Sequence, residues 1–240
     1  MIGRYGIFVT VCLMLTCAAS AQRVLIVEDT GVLRIKGGDS IVASIEVNCH
    51  GPEWTLGTQS EGVAQVRRIS DTETLITGRV PVAGTTDGSV EYEQRVTQRE
   101  GAIEIEYWLG FSGPMAIHNL QVSELLPAEL HAGTRLEIAY GETGRRRLLL
   151  PVALNAAKWV MGTFKGHGIT TTPIDGEPVT VSGAEDKMPG FEVYDLRQWE
   201  RDEFEVRVPL LSDQEGKLVG KDTHFSLTLT LPGEYELEID

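Results

Sequence analysis

Apolar and polar positions alternate with a period of two along most of the chain, the pattern of strands that turn one face to a core. Between Ala102 and Phe111, Ile103, Ile105, Tyr107, Leu109 and Phe111 share one face, while Glu104, Glu106 and Trp108 share the other. Phe204 to Leu210 repeats the design, with Phe204, Val206, Val208 and Leu210 inward and Glu205 and Arg207 outward. Phe225, Leu227, Leu229 and Leu231 alternate with Ser226, Thr228 and Thr230. After Pro232-Gly233, Tyr235, Leu237 and Ile239 alternate with Glu234, Glu236 and Glu238, so this last pair reads as a hairpin that closes the domain.

Weaker alternation predicts further strands at Val24–Glu28, Val32–Ile35, Ile41–Asn48, Val63–Ile69, Thr74–Val80 and Ser89–Thr97. More follow at Leu120–Leu125, Arg135–Tyr140, Arg147–Leu154, Trp159–Phe164, Val179–Ser182 and Phe191–Leu196. Gly37-Gly38-Asp39, Thr86-Asp87-Gly88, Arg99-Glu100-Gly101, Gly141–Gly144 and Asp175-Gly176 supply turn chemistry between them. Helix signals are sparse, and the best helical candidate is Leu154 to Met161. Strands with one polar face imply antiparallel sheets packed face to face. The expected fold is therefore all-β, a large antiparallel two-sheet β-sandwich, with two small sandwiches as the alternative. No linker or composition shift divides the chain and no fixed-period repeat is present, so one domain is expected over residues 22–240.

The first 21 residues follow another logic. Arg4 precedes an apolar run of 11 residues, Ile7 to Cys17, and Ala19-Ser20-Ala21 then fits a small-x-small cleavage site. A membrane-spanning helix needs about 20 apolar residues, so the run reads as a signal peptide cut after Ala21 rather than an anchor. Met14-Leu15-Thr16 ahead of Cys17 is a poor lipobox. Export to a periplasm or to the cell exterior is expected, with no membrane span after cleavage. Cleavage removes Cys12 and Cys17 and leaves Cys49 alone, without an internal disulfide partner and best read as a buried, inert thiol.

The 240 residues carry a formal net charge of −14, and loss of Arg4 makes the mature chain one charge more negative. Such a surface repels phosphate backbones and anionic lipid, which argues against nucleic-acid and membrane partners. With 42% apolar and 23% charged residues the chain is globular in composition. His50, His118, His131, His167 and His224 form no pair at ligand spacing, and Asp71, Asp175 and Asp186 show no calcium-loop spacing. No phosphate loop, dinucleotide fingerprint or Gly-x-Ser-x-Gly elbow is present, so neither metal nor cofactor is expected.

Candidate chemistry rests on aromatic and acidic residues. Flat aromatic faces stack on the apolar faces of sugar rings. Trp108 stands on the charged side of its strand, Trp54 follows Gly51-Pro52-Glu53, and Trp199 lies among Arg197, Gln198, Glu200 and Arg201. These three are the carbohydrate-binding candidates; Trp159 follows Lys158 in a mid-chain connection. Glycoside chemistry needs two carboxyl groups roughly 5–10 Å apart, a spacing that Glu104 and Glu106 satisfy on one strand face, as do Glu234, Glu236 and Glu238. The plainer reading of both sets is a solvated polar face. Arg145-Arg146-Arg147 reads as a hairpin end or a site for an anion, and Gly166-His167-Gly168 as a loop able to approach a ligand closely.

Two stretches carry a resemblance. Val90–Leu109 (VEYEQRVTQREGAIEIEYWL) and Glu124–Pro151 (ELLPAELHAGTRLEIAYGETGRRRLLLP) resemble consecutive sections of the β-supersandwich domains related to galactose mutarotase. Similar modules precede the catalytic barrel in secreted bacterial polysaccharide-degrading enzymes. The resemblance implies a supersandwich fold and a carbohydrate setting. Mutarotases use a His acid and a Glu base in the cleft, and no His or Glu here stands in a matching motif. The expected function is an exported, non-catalytic module that binds carbohydrate through Trp108, Trp54 and Trp199. The alternatives are a carbohydrate-active enzyme (epimerase, lyase or hydrolase) working through His118, His167, Glu104 or Glu106, and a protein-interaction scaffold.

Overall fold

The computed structural model describes residues 23–240. The expected signal peptide and its cleavage point lie outside these residues. Strands are numbered in chain order. One sheet runs β12 (Val160–Phe164), β15 (Phe191–Asp195), β16 (Glu203–Val219), β9 (Met115–Pro127), β3 (Ser40–His50), β2 (Leu33–Gly37), β1 (Arg23–Val27) and β18 (Tyr235–Ile239), with β4 (Leu56–Thr58) paired to the end of β3. The other runs β11 (Gly144–Leu149), β10 (Arg135–Tyr140), β13 (Gly168–Thr171), β14 (Val179–Ser182), β17 (Phe225–Pro232), β8 (Ala102–Phe111), β7 (Ser89–Arg99), β6 (Glu73–Pro81) and β5 (Val63–Ser70). The two-sheet sandwich expected from the alternation is the fold observed.

The alternation acts through burial. Ile103, Ile105, Tyr107, Leu109 and Phe111 of β8 meet Ile45, Val47, Cys49, Val122 and Val206 of the first sheet in one hydrophobic core. Each such side chain, fully buried, contributes about 1.5–3 kcal/mol. Cys49 lies inside this core as expected, and burial pushes its thiol up to about 12, which keeps it inert. No helix of the described residues is long and apolar enough to cross a membrane.

Three expectations are corrected. Phe225–Leu231 and Tyr235–Ile239 do not form a hairpin. β17 pairs antiparallel with β8 along its full length, whereas β18 pairs parallel with β1 in the opposite sheet. Pro232-Gly233 therefore carries the chain across the sandwich. Alternation names the face of a strand but not its partner, and Leu229 and Tyr235 reach the same core from opposite sides. Residues 154–159 are irregular rather than helical, and Arg197 holds the preceding turn through the carbonyls of Pro151 and Val152, both at 2.9 Å. Glu205 and Arg207 turn away from the core as expected, yet both are buried. The face they share is covered, and it forms the site described next.

Candidate binding cleft

The core-averted face of the first sheet is polar and largely shielded from water. Along β3, Ile45, Val47 and Cys49 enter the core, so Ser44, Glu46, Asn48 and His50 take the other face. On β9 the same face carries Asn119, Gln121 and Ser123. Register sets Asn48 opposite Gln121 and His50 opposite Asn119, a two-by-two block of hydrogen-bonding side chains. Asn48, Asn119 and Gln121 are 1%, 3% and 0% exposed. Both amide atoms of Asn48 and Gln121, Asn119 Oδ1 and His50 Nδ1 have no hydrogen-bond partner among the described residues. A buried polar group left unpaired costs about 1–3 kcal/mol, so a block of them is maintained against stability.

Aromatic side chains wall this floor on two sides and enclose a cleft of about 660 Å³. Trp54 forms one wall. It sits in a short 3₁₀ turn, Pro52–Trp54, with left-handed backbone at Glu53 (φ 57°) and Trp54 (φ 60°). Such angles cost about 1–3 kcal/mol each in a residue other than Gly. The turn is anchored at Gly51, where a Cβ would lie 2.6 Å from the Ala83 carbonyl oxygen. Thr55 Oγ1 adds hydrogen bonds to the carbonyls of Pro52 and Ala83. The indole stacks on His118 at 4.6 Å between centroids and leans on His50 at 5.9 Å. His118 Nδ1 in turn donates to the Asp213 carbonyl at 3.1 Å, and Gly216 (φ 83°) packs so closely on its ring that a Cβ there would meet it at 3.2 Å.

The opposite wall holds Trp159, Tyr194 and Trp199. Trp159 meets Trp199 edge to face at 4.8 Å and Tyr194 nearly parallel at 5.8 Å. Trp199 ends the 3₁₀ turn Leu196–Trp199, which the Asp195 carboxylate caps at the Arg197 amide. Arg197 pairs with Asp195 at 2.8 Å and reaches the carbonyls of Pro151 and Val152, so one guanidinium ties together the segments that carry Trp159 and Trp199.

Charge in the cleft is compensated internally. Arg207 Nε donates to Glu205 at 2.7 Å, and Ser123 Oγ donates to the other oxygen of that carboxylate at 2.6 Å. The Arg207 guanidinium lies 4.0 Å over the Tyr194 ring. Arg201 pairs with Glu203 at 2.8 Å. Burial, reinforced by the nearby Arg207 charge, lowers His50 to about 4, so its imidazole is neutral at physiological pH. Burial also raises Glu46, and the Asn48 amide approaches that carboxyl without forming a full hydrogen bond. Among the described residues no group of three His, Cys, Asp or Glu side chains converges as metal ligands do.

The structure brings two of the three tryptophan candidates, Trp54 and Trp199, to opposite walls of this cleft. Trp108 lies elsewhere, on the outer face of the second sheet, stacked on His224 at 4.8 Å. Glu104 and Glu106 share that outer face, and Glu104 pairs with Arg99 at 2.9 Å. His118 stands beside Trp54 as its stacking partner. His167 lies between β12 and β13, where its backbone amide and carbonyl bond to Ala139 and Gly183. Sequence reasoning missed Trp159, His50, Asn48, Asn119, Gln121 and Glu205 as a set. One signal for part of it is present: the residues between the core positions 45, 47 and 49 of β3 are polar at every step, which marks a face built for something other than bulk solvent.

No protein-family model matches the chain. No curated protein matches it either. Among solved structures, the chain is similar to the Slr1438 protein from Synechocystis sp. PCC 6803, with TM-score 0.51 and 11% identity over 85% of this chain and 88% of that one. It is also similar to a galactose mutarotase related enzyme from Lactobacillus acidophilus (TM-score 0.48, 8% identity, 89% and 95% covered). A galactose mutarotase-like protein from Lactobacillus casei ATCC 334 gives TM-score 0.49 and 10% identity, with 86% and 95% covered. At these identities the likeness is one of fold. The two-sheet sandwich that holds Val90–Leu109 and Glu124–Pro151 is the architecture the chain shares with the Slr1438 protein.

Proposed function

We propose that this is an exported protein that binds carbohydrate in the cleft between Trp54 and the Trp159–Trp199 wall. One observation carries the reading: flat aromatic walls stand over a floor of buried polar atoms that lack partners among the described residues. A sugar ring needs both, apolar contact for its C–H faces and hydrogen bonds for its edges. The cleft volume lies within the range of small-ligand sites, roughly 300–1,000 Å³.

The test is a glycan panel, read by retardation in native gels and then by calorimetry. Trp54→Ala and Trp199→Ala are expected to weaken binding of the selected glycan about tenfold or more, a loss of about 1.4 kcal/mol. Trp108→Ala, outside the cleft, is the matched control and leaves affinity unchanged. Binding that survives both cleft substitutions, or is lost in the control, refutes the assignment.

A second reading, a mutarotase-type epimerase, is favoured by the presence of neutral His50 and paired Glu205 in one cleft. A neutral imidazole beside a carboxylate can give and take protons at a sugar's anomeric centre. Anomer exchange measured by magnetization transfer distinguishes the two. A rate above the buffer blank that falls in both His50→Asn and Glu205→Gln supports the enzyme, and a rate equal to the blank removes it.

A further inference from the structure

The cleft floor is more specific than a general sugar site, and the inference drawn from it rests on the carbohydrate reading above. Both guanidinium groups that line the cleft are already engaged, Arg207 by Glu205 at 2.7 Å and Arg201 by Glu203 at 2.8 Å. An anionic sugar would meet no uncompensated cation there. Charged planar side chains make the stronger bonds to ionised ligand groups, and here their charge is already compensated within the protein.

Apart from His50 Nδ1, what remains unpaired on this floor among the described residues is carboxamide. Asn48 and Asn119 line the cleft, and Gln121 lies beside both, opposite Asn48 in the register. Five of their six amide heteroatoms are buried with no partner among the described residues: Asn48 Nδ2 and Oδ1, Gln121 Nε2 and Oε1, and Asn119 Oδ1. A side-chain carboxamide presents a donor and an acceptor side by side in one plane. Its matching complement is a second amide, which presents an acceptor and a donor with the same spacing. A ligand amide on a sugar would bring a methyl group as well, and Leu56 supplies an apolar surface in the same lining, close in sequence to Trp54.

We infer that the cleft selects uncharged sugars bearing an acetamido substituent, with the substituent's amide seated on Asn48 and Asn119 and its methyl against Leu56. Gln121, opposite Asn48 and two residues from Asn119 on the same strand face, extends this carboxamide floor. The two asparagines donate to the acetamido carbonyl and accept from its N–H. The ring lies between the aromatic walls.

The experiment titrates the full chain with the methyl glycosides of N-acetylglucosamine, N-acetylgalactosamine, glucose, galactose and glucuronic acid, read by calorimetry. The acetamido sugars are expected to bind at least about tenfold tighter than their parent hexoses. In Asn48→Leu and Asn119→Leu that preference collapses to about onefold, while thermal melting confirms that each variant is folded. Asn48→Gln, which keeps the carboxamide, is expected to retain part of the preference, an outcome that a merely space-filling role would not produce. Parent hexoses binding as tightly as acetamido sugars would overturn this inference and leave the carbohydrate reading standing. Tightest binding of the glucuronide would overturn it through the charge argument. No binding of any sugar would overturn both.

Discussion

Gln121 offers a quantitative test of whether the floor is kept for a ligand. Its side chain is 0% exposed, and neither amide heteroatom has a partner among the described residues. It lies in the middle of the first sheet, between Asn48 of β3 and Pro209 of β16. Replacing it with Met keeps the length of the side chain and removes both polar atoms. If the amide is unsatisfied in the free protein, the substitution relieves its desolvation penalty of about 1–3 kcal/mol. In a domain of this size 1 kcal/mol shifts melting by about 2–4 °C, so Gln121→Met should raise Tm by about 2–12 °C. Differential scanning calorimetry at pH 7 measures the shift, and urea unfolding checks that the m-value is unchanged. Saturating ligand should then stabilise the wild type more than the variant, because a ligand that binds only the folded state adds about 2.7 kcal/mol at 100 times its Kd. A fall in Tm of several degrees would refute the reasoning. It would mean that the Gln121 amide is fully hydrogen-bonded in the free protein and that the floor is a satisfied structural network.

Other substitutions probe the walls and the core. Glu205→Gln leaves Arg207 without its buried anion and is expected to destabilise the fold by about 3–5 kcal/mol, visible as a lower urea midpoint; a change under about 1 kcal/mol would show that the pair is solvated. Arg197→Met releases the Pro151 and Val152 carbonyls and strands Asp195, so near-ultraviolet circular dichroism from the Trp159–Trp199 pair should weaken; an unchanged spectrum contradicts the clamp. Glu124 faces the core, where Thr171 is its one hydrogen-bond donor among the described residues, and burial raises it from 4.5 to about 8. The folded state therefore holds a proton that the unfolded state has released. Stability from this group is full below about pH 4.5 and is lost as pH rises through 8, at about 1.4 kcal/mol per pH unit. His50, lowered from 6.5 to about 4, acts in the opposite sense over the acidic part of that range, so the effect is read as the difference between wild type and Glu124→Gln at pH 5 and pH 8. Parallel pH profiles for the two proteins would contradict the burial argument.

The strands were legible because burial acts on each residue through its immediate neighbours in sequence. Ile103 to Phe111 and Phe225 to Leu231 could be assigned inward positions without knowing what they pack against. Cys49 and His50 could likewise be assigned to opposite faces, and they occupy the core and the cleft respectively. The partners of the strands were less legible. β17 and β18 show the same alternation on either side of a Pro-Gly turn, yet one lies in each sheet. β13 was missed because its residues, Gly-Ile-Thr-Thr at 168–171, do not alternate, whereas the equally short β14 reads Val-Thr-Val-Ser. Glu205 and Arg207 read as solvent-facing because a period of two separates core from non-core and says nothing of a second enclosed face.

The class of fold, the core and the division of each strand into two faces follow from patterning that is local along the chain. Tertiary structure alone decided the cleft. Its residues come from positions 48–56, 119, 159 and 194–214, with no spacing that any local motif could encode. Trp54 and Trp199 became opposing walls, and Trp108 did not join them, because sheet order and the turns after β3 and β15 set where each indole projects. That the amides of Asn48 and Gln121 and the Oδ1 of Asn119 find no partner among the described residues was decided there too. A hydrogen bond requires two groups to meet in space, and in a sandwich whose neighbouring strands lie far apart in the chain, sequence order does not say which groups will meet.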